Sequence, residues 1–240
     1  MKKHENTIYI TGDTHGDLER FKKMKRLKKG DFLIICGDFG FIWDGSKSEK
    51  RLLKRLGRRK YHILFVDGLH ENFDELNSYP EEEWNGGKIR HISGNLRYLM
   101  RGEIFTLGKK TALTFGGGRV EKVEPGSEGA ADVQSREEEI AKSPEIPKEA
   151  EYRNGLRSIA RHNGRVDYII SHEAPSMIAE FLELSNSGKS RPNAYLDILG
   201  ESCTFERWFF GHHHINRVVT PKYYALFDRV MSADEIIKYN

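Results

Sequence analysis

Five short apolar runs in this sequence each end in acidic or imidazole side chains. Asp13 and His15 follow Thr7–Thr11, and Asp38 follows Phe32–Cys36. His70 and Glu71 follow Tyr61–Val66, His172 follows Val166–Ile170, and His212 and His214 follow Phe205–Phe210. Neutral imidazoles mixed with carboxylates suit a divalent first-row ion such as Mn²⁺, Fe²⁺, Zn²⁺, Co²⁺ or Ni²⁺. A carboxylate shared between two ions gives a two-metal arrangement. Ions about 3.5–4 Å apart then clamp a phosphoryl group and ionise a water for in-line attack. Groups this far apart in the chain meet only if the fold carries all the run ends to one edge.

The local pattern predicts such a fold. In the first half a β-branched or aromatic run is followed by a charged amphipathic stretch, three times over. Leu18–Lys28 reads as a helix with Leu18, Phe21, Met24 and Leu27 on one side, and a basic helix is expected around Glu49–Leu56. A third helix has Phe73 and Leu76 as its apolar positions. Buried strands alternating with helices argue a sheet covered on both faces, with chemistry at the carboxyl ends of its strands. Beyond residue 88 the runs Lys88–Ile92, Ile104–Leu107 and Thr111–Phe115 read as short strands, and Gly116-Gly117-Gly118 as a turn. From Glu121 to Glu151 the chain is acidic and proline-punctuated. Within about 116–160 it reads as a surface excursion, a lid or a solvated connection, with Ser135–Glu138 able to cap a short helix. A helix over about Lys148–His162, strands at Arg217–Thr220 and Tyr223–Val230, and a terminal helix from Ser232 complete the reading.

Five of these polar blocks, taken in order, resemble the signature of the calcineurin-like metallophosphoesterases. They are Gly12-Asp13-x-His15, Gly37-Asp38, the Gly68-x-His70 turn, Ser171-His172 and Gly211-His212-x-His214. The resemblance implies an α/β fold of two packed mixed β-sheets flanked by helices, formed by residues 1–240 as one domain. It implies that Asp13, His15 and His214 hold a first metal, His172 and His212 a second, and that Asp38 bridges them. His70 would protonate the leaving oxygen, as an imidazole within hydrogen-bond reach can. The implied activity is hydrolysis of a phosphomonoester or phosphodiester by a metal-bridging hydroxide, with two divalent ions, Mn²⁺ first among them. His213 occupies the variable slot of the last block and is read as an exposed neighbour.

Two positions depart from the family pattern. The third block of the family reads Gly-Asn-His, and its asparagine gives an oxygen to the second metal and an amide to the phosphate. Leu69 can do neither, so weakened metal binding and reduced turnover are expected, or a metal- or partner-binding module without turnover. Losing even an outer-shell contact costs roughly 10–100-fold. Asn72 and Asn95 are not positioned to substitute. Phe41 stands where the protein-phosphatase branch has an aspartate that steadies the catalytic histidine, which favours the bacterial and phage-like small phosphoesterases. Glu71, beside His70, is a candidate replacement for that aspartate.

Composition excludes several other classes. Of the 240 residues, 39 are Lys or Arg and 36 Asp or Glu, leaving a formal charge of +3. No apolar run approaches the roughly 20 residues of a membrane span, and Met1–Asn6 is not expected to act as a secretion signal. Cys36 and Cys203 have no motif spacing, so neither a disulfide framework nor a zinc knuckle is expected. A cytoplasmic protein is the expectation. Asp38-Phe39-Gly40 spells the kinase magnesium motif without the other kinase motifs. Gly116–Arg119 lacks the ending of a P-loop. The basic runs Lys22–Lys29 and Lys47–Lys60 raise nucleic-acid binding, but their charges read as the wet faces of helices without interleaved aromatics. His4, His62, His91 and His162 are read as ordinary histidines, and Asp17 and Asp67 as helix-cap and turn residues.

Overall fold

A computed structural model describes residues 5–118, 143–182 and 190–235, and within them two mixed β-sheets pack face to face. The first runs β13 (Met231–Ser232), β1 (Ile8–Thr11), β2 (Phe32–Ile35), β3 (His62–Phe65), β6 (Leu96–Leu99), β5 (Gly87–Ser93), β4 (Glu81–Trp84). The second runs β11 (Arg217–Val218), β12 (Tyr223–Ala225), β10 (Arg207–Phe210), β9 (Tyr168–Ser171), β8 (Lys110–Phe115), β7 (Glu103–Leu107). Each sheet has four parallel strands at its centre, β1-β2-β3-β6 in one and β12-β10-β9-β8 in the other. Antiparallel strands close the edges.

Period-two burial sets the layers. Phe32, Ile34 and Cys36 face the core between the sheets with Ile10, Leu64, Ile170 and Phe209. Leu33 and Ile35 point the other way, against Phe21, Met24 and Leu27 of a 3-10 helix (Leu18–Met24) and its following turn. Leu53 and Leu56 of α1 (Lys47–Gly57) and Phe73 and Leu76 of α2 (Phe73–Ser78) belong to the same outer layer. Across the molecule, Ile169, Trp208 and Phe210 pack under α3 (Glu149–Arg161), α4 (Ser176–Phe181) and α5 (Arg191–Ser202). The order is helix, sheet, sheet, helix, as expected.

Several elements differ from the sequence reading. The helix expected over 18–28 is a 3-10 helix over Leu18–Met24. Leu18, Phe21, Met24 and Leu27 recur every three residues, the period of that tighter helix. At Ser232, where a helix was expected to begin, the chain is in strand β13, paired with Tyr9 and Ile10, and then turns; the rest of that expected helix, from residue 236, lies outside the described residues. The excursion expected at about 116–160 falls largely on residues outside the described ones, as do Ser135–Glu138 and Arg119. Its described end, from residue 143, is a turn leading into α3. Among the described residues no helix is long and apolar enough to cross a membrane.

Candidate metal centre

The carboxyl ends of β1, β2, β3, β8, β9 and β10 lie along one rim where the two sheets meet, and close backbone contacts fasten them there. The amides of Thr14 and His15 donate to the Asp38 carbonyl oxygen, at 3.1 and 2.8 Å. The amides of Leu69 and His70 donate to Asp38 Oδ1, at 2.7 and 2.9 Å. From the second sheet, the His212 amide donates to Asp13 Oδ1 at 3.0 Å, and His172 Nδ1 donates to the Cys36 carbonyl at 2.9 Å. Glycines make these approaches feasible. A methyl group at Gly37 would overlap the His172 ring, one at Gly68 the Asp38 carboxylate, and one at Gly211 Asp13 Oδ1. His15, Asp38, His212 and His214 all take positive φ, between 44° and 62°. Non-glycine residues adopt that conformation only when surrounding contacts enforce it.

Five of the six expected ligands, together with His70, gather into three overlapping groups in each of which the donor atoms lie within 4.8 Å of one another: Asp13, His15 and His214; His15, Asp38 and His70; Asp13, Asp38 and His172. His214 Nε2 is 3.2 Å from Asp13 Oδ2, and His15 Nε2 is 2.8 Å from His214 Nε2 although 199 residues separate them. His172 Nε2 is 3.9 Å from Asp38 Oδ2. His212 stands outside the three groups. Its ring is edge-on to that of His172 at 5.0 Å, and its Nε2 is 3.6 Å from Glu173 Oε1.

Two buried donor atoms at this rim, Asp13 Oδ2 and His172 Nε2, have no hydrogen-bond partner among the described residues. With Nδ1 donating to Cys36, the His172 Nε2 lone pair is available to a cation, the arrangement in which an outer contact fixes the tautomer of a metal-binding imidazole. Burial of such atoms without a partner costs on the order of 1–3 kcal/mol each, which a cation would recover. The carboxylate and imidazole set therefore fits a divalent transition ion.

Electrostatics follow from burial and neighbours. Burial opposes ionisation of Asp38, yet the His172 imidazole and the His70 hydrogen bonds outweigh it and hold the carboxyl at about 2. Burial likewise opposes charge on His172, but Asp13 and Asp38 raise its pKa. Burial lowers His15 and His212 despite nearby carboxylates.

His70 is 67% exposed and donates through Nδ1 to Asp38 Oδ2 at 2.8 Å, leaving Nε2 at the outer tip of the ring. Its partner is thus Asp38 and not Glu71. The Glu71 carboxylate is buried and accepts from the amides of Phe39 (2.7 Å) and Gly40 (3.4 Å); burial pushes it up to about 8. Phe41 is core, against Phe39 and Phe21. Leu69 is half-buried beside Gly118. Asn72 caps α2 and donates to the Trp43 carbonyl, and Asn95 donates to the Arg59 carbonyl.

His213 differs from its expected exposure. Its side chain is 5% exposed, with Nε2 lying 3.9 Å from Glu173 Oε2, and burial beside three other imidazoles pushes it down to about 3. Asp67 also does more than form a turn. Buried, it accepts from Tyr98 Oη at 2.9 Å and Arg101 Nε at 3.0 Å. Asp17 does cap its helix, accepting from the Glu19 amide. His62, His91 and His162 make ordinary contacts away from the rim. Glu173 was not anticipated; its one signal in the sequence is an acidic residue directly after His172.

A family sequence model described as calcineurin-like phosphoesterase matches residues 7–216, most of the chain. No curated protein matches it.

Proposed function

The chain belongs to the calcineurin-like phosphoesterase family, and from that premise we propose that it hydrolyses a phosphate ester at a site for two divalent cations. The observation that carries this reading is the gathering of Asp13, His15, Asp38, His172 and His214 from both sheets, with two buried donor atoms lacking hydrogen-bond partners among the described residues. In this reading Asp13, His15 and His214 hold one cation, His172 and His212 the other, and Asp38 serves both. Cations bound there would offset charge on a phosphoryl group and bring the pKa of water toward neutrality. His70, steadied by Asp38 through Nδ1, presents its exposed face to protonate the departing oxygen. Manganese is the first metal to test, then iron, zinc, cobalt and nickel.

Leu69 brings no amide to orient the phosphate, so turnover is low for the family. Leu69→Asn should raise the rate on bis- or mono-aryl phosphates by about tenfold or more, the scale of a lost contact around a metal site. Elemental analysis accompanies the assay. An unchanged rate with both ions present before and after would remove position 69 from the mechanism. Inertness of both proteins on mono- and diesters across the five metals would favour the second reading that Leu69 supports, a metal- or partner-binding module on the same scaffold.

A further inference from the structure

Residues 18–60 hold 15 lysines and arginines and only five aspartates and glutamates, in a chain whose totals are 39 and 36. Three of those five acids are turned inward. Asp31, Asp38 and Glu49 are buried, and Glu49 accepts from the amides of Trp43 and Asp44, both at 2.8 Å. On α1 and its C-cap the exposed cations are Lys47, Lys50, Arg51, Lys54, Arg55 and Arg58. They recur at three- and four-residue steps, so they form one stripe on the side away from Leu53 and Leu56. None of the six forms an ion pair among the described residues.

The fold also joins the two basic segments. The 3-10 helix and α1 share one outer layer through Phe21, Met24, Leu27, Leu53 and Leu56. Their far ends meet where the Gly30 amide donates to the Lys60 carbonyl at 3.0 Å. Lys28, Lys29, Arg58, Arg59 and Lys60, all exposed, therefore cluster at the amino ends of β2 and β3. Because α1 connects two parallel neighbours, it runs back from the rim to that cluster. Its 11 residues span about 16 Å, and the stripe follows them.

At the rim end of the stripe stands Trp43, 62% exposed. Asn72, two residues after His70, donates from Nδ2 to its carbonyl. The indole makes no ring contact among the described residues. No aromatic is interleaved with the basic runs in the sequence, but the fold sets one where they reach the rim. Positive charge gathered on one face repels itself until a polyanion relieves it. A membrane surface fits poorly, since the apolar side that an interfacial helix inserts is here packed against the sheet. A single strand of nucleic acid uses both features, with phosphates on the cations and an unstacked base on the indole.

We propose that single-stranded nucleic acid binds along α1 with a base on Trp43, and that a phosphodiester of this strand is the substrate at the rim. The binding stands alone, and only the cleavage rests on the two-cation reading. In that cleavage the oxygen of water joins phosphorus, and the bond from phosphorus to the leaving sugar oxygen breaks with its electron pair. The leaving oxygen takes a proton from His70, which regains one from the attacking water.

Binding is measured in EDTA by fluorescence anisotropy, with labelled oligo(dT) and oligo(U) of about 20 nucleotides. With about five phosphates held, affinity for at least one of them should fall about 100-fold between about 50 and 200 mM salt. Lys50→Gln/Arg51→Gln/Lys54→Gln should flatten the log–log slope by about 2. Trp43→Ala should weaken binding about tenfold at every salt concentration and keep the slope. The salt series on the unaltered chain needs no variant: a flat response to both oligonucleotides would overturn the proposal. Tighter capture of phosphatidylserine vesicles, or equal affinity for a duplex of the same length, would do so too. Cleavage is then followed with Mn²⁺. Turnover of aryl phosphates without oligonucleotide binding removes this proposal and leaves the hydrolytic reading. Salt-dependent binding by a protein inert on every ester removes the hydrolytic reading, and with it the strand as substrate.

Discussion

Gly37 has a positive φ of 102°, and its Cα faces the His172 ring so closely that no side chain fits. Gly37→Ala therefore combines a disfavoured backbone with displacement of the buried His172 imidazole, which lies 3.9 Å from the Asp38 carboxylate. It should destabilise the fold by roughly 2–4 kcal/mol, the range for core overpacking joined to backbone strain, and weaken Mn²⁺ binding. Thermal melting with and without metal checks both; an unaltered melting temperature would mean that the rim relaxes more easily than its contacts indicate. At this scale the sequence is informative about residue type and silent about partners. Asp13, His15, Asp38, His172 and His214 could be picked out because each follows an apolar run. Glu71 and Glu173 could not be told apart, since both are acids directly after a rim histidine. Only the fold shows that Glu71 turns inward to the amides of residues 39 and 40, while Glu173 lies against His212.

The hairpin of β4 and β5 offers a contrasting glycine. Its two connecting residues, Asn85 and Gly86, have φ of 50° and 95°, as a tight two-residue connection between twisted strands requires. A methyl group at Gly86 would meet only the Ile104 carbonyl, at 3.6 Å. Gly86→Ala should consequently cost only about 1 kcal/mol, all of it conformational, with metal binding unchanged. Chemical denaturation measures the first and titration the second; a loss of metal would show that this distal hairpin is coupled to the rim. Glu81–Trp84 was not legible as a strand because three glutamates are poor strand formers. β2, β3, β9 and β10, largely buried on both faces, were legible from their apolar runs, whereas β6, interrupted by Arg97, was not. The helices α4 and α5 were not legible either, the first being short and the second weakly patterned.

For the molecule as a whole, Arg101 is the fastening between layers. Its guanidinium, 3% exposed, reaches Asp67 beyond the end of β3, Glu151 of α3 at 3.1 Å, and the Pro144 carbonyl at 2.9 Å. Arg101→Met would leave the Asp67 carboxylate buried without its cation, at a cost of about 3–5 kcal/mol. Asp67→Asn/Arg101→Met should lose less than the two single variants added together. Urea unfolding of all four proteins checks this, and simple additivity would mean that the pair is not an energetic unit. The wider arrangement also bears on how the protein is made. The proposed metal ligands are drawn from segments that begin at residue 13 and end at 214, and β13 completes the sheet beside β1. During translation, a nascent chain halted before Gly211 would carry Asp13 without the His214 imidazole that faces it. If these residues hold cations as proposed, the site is completed only once the segment carrying His212 and His214 has folded back beside Asp13.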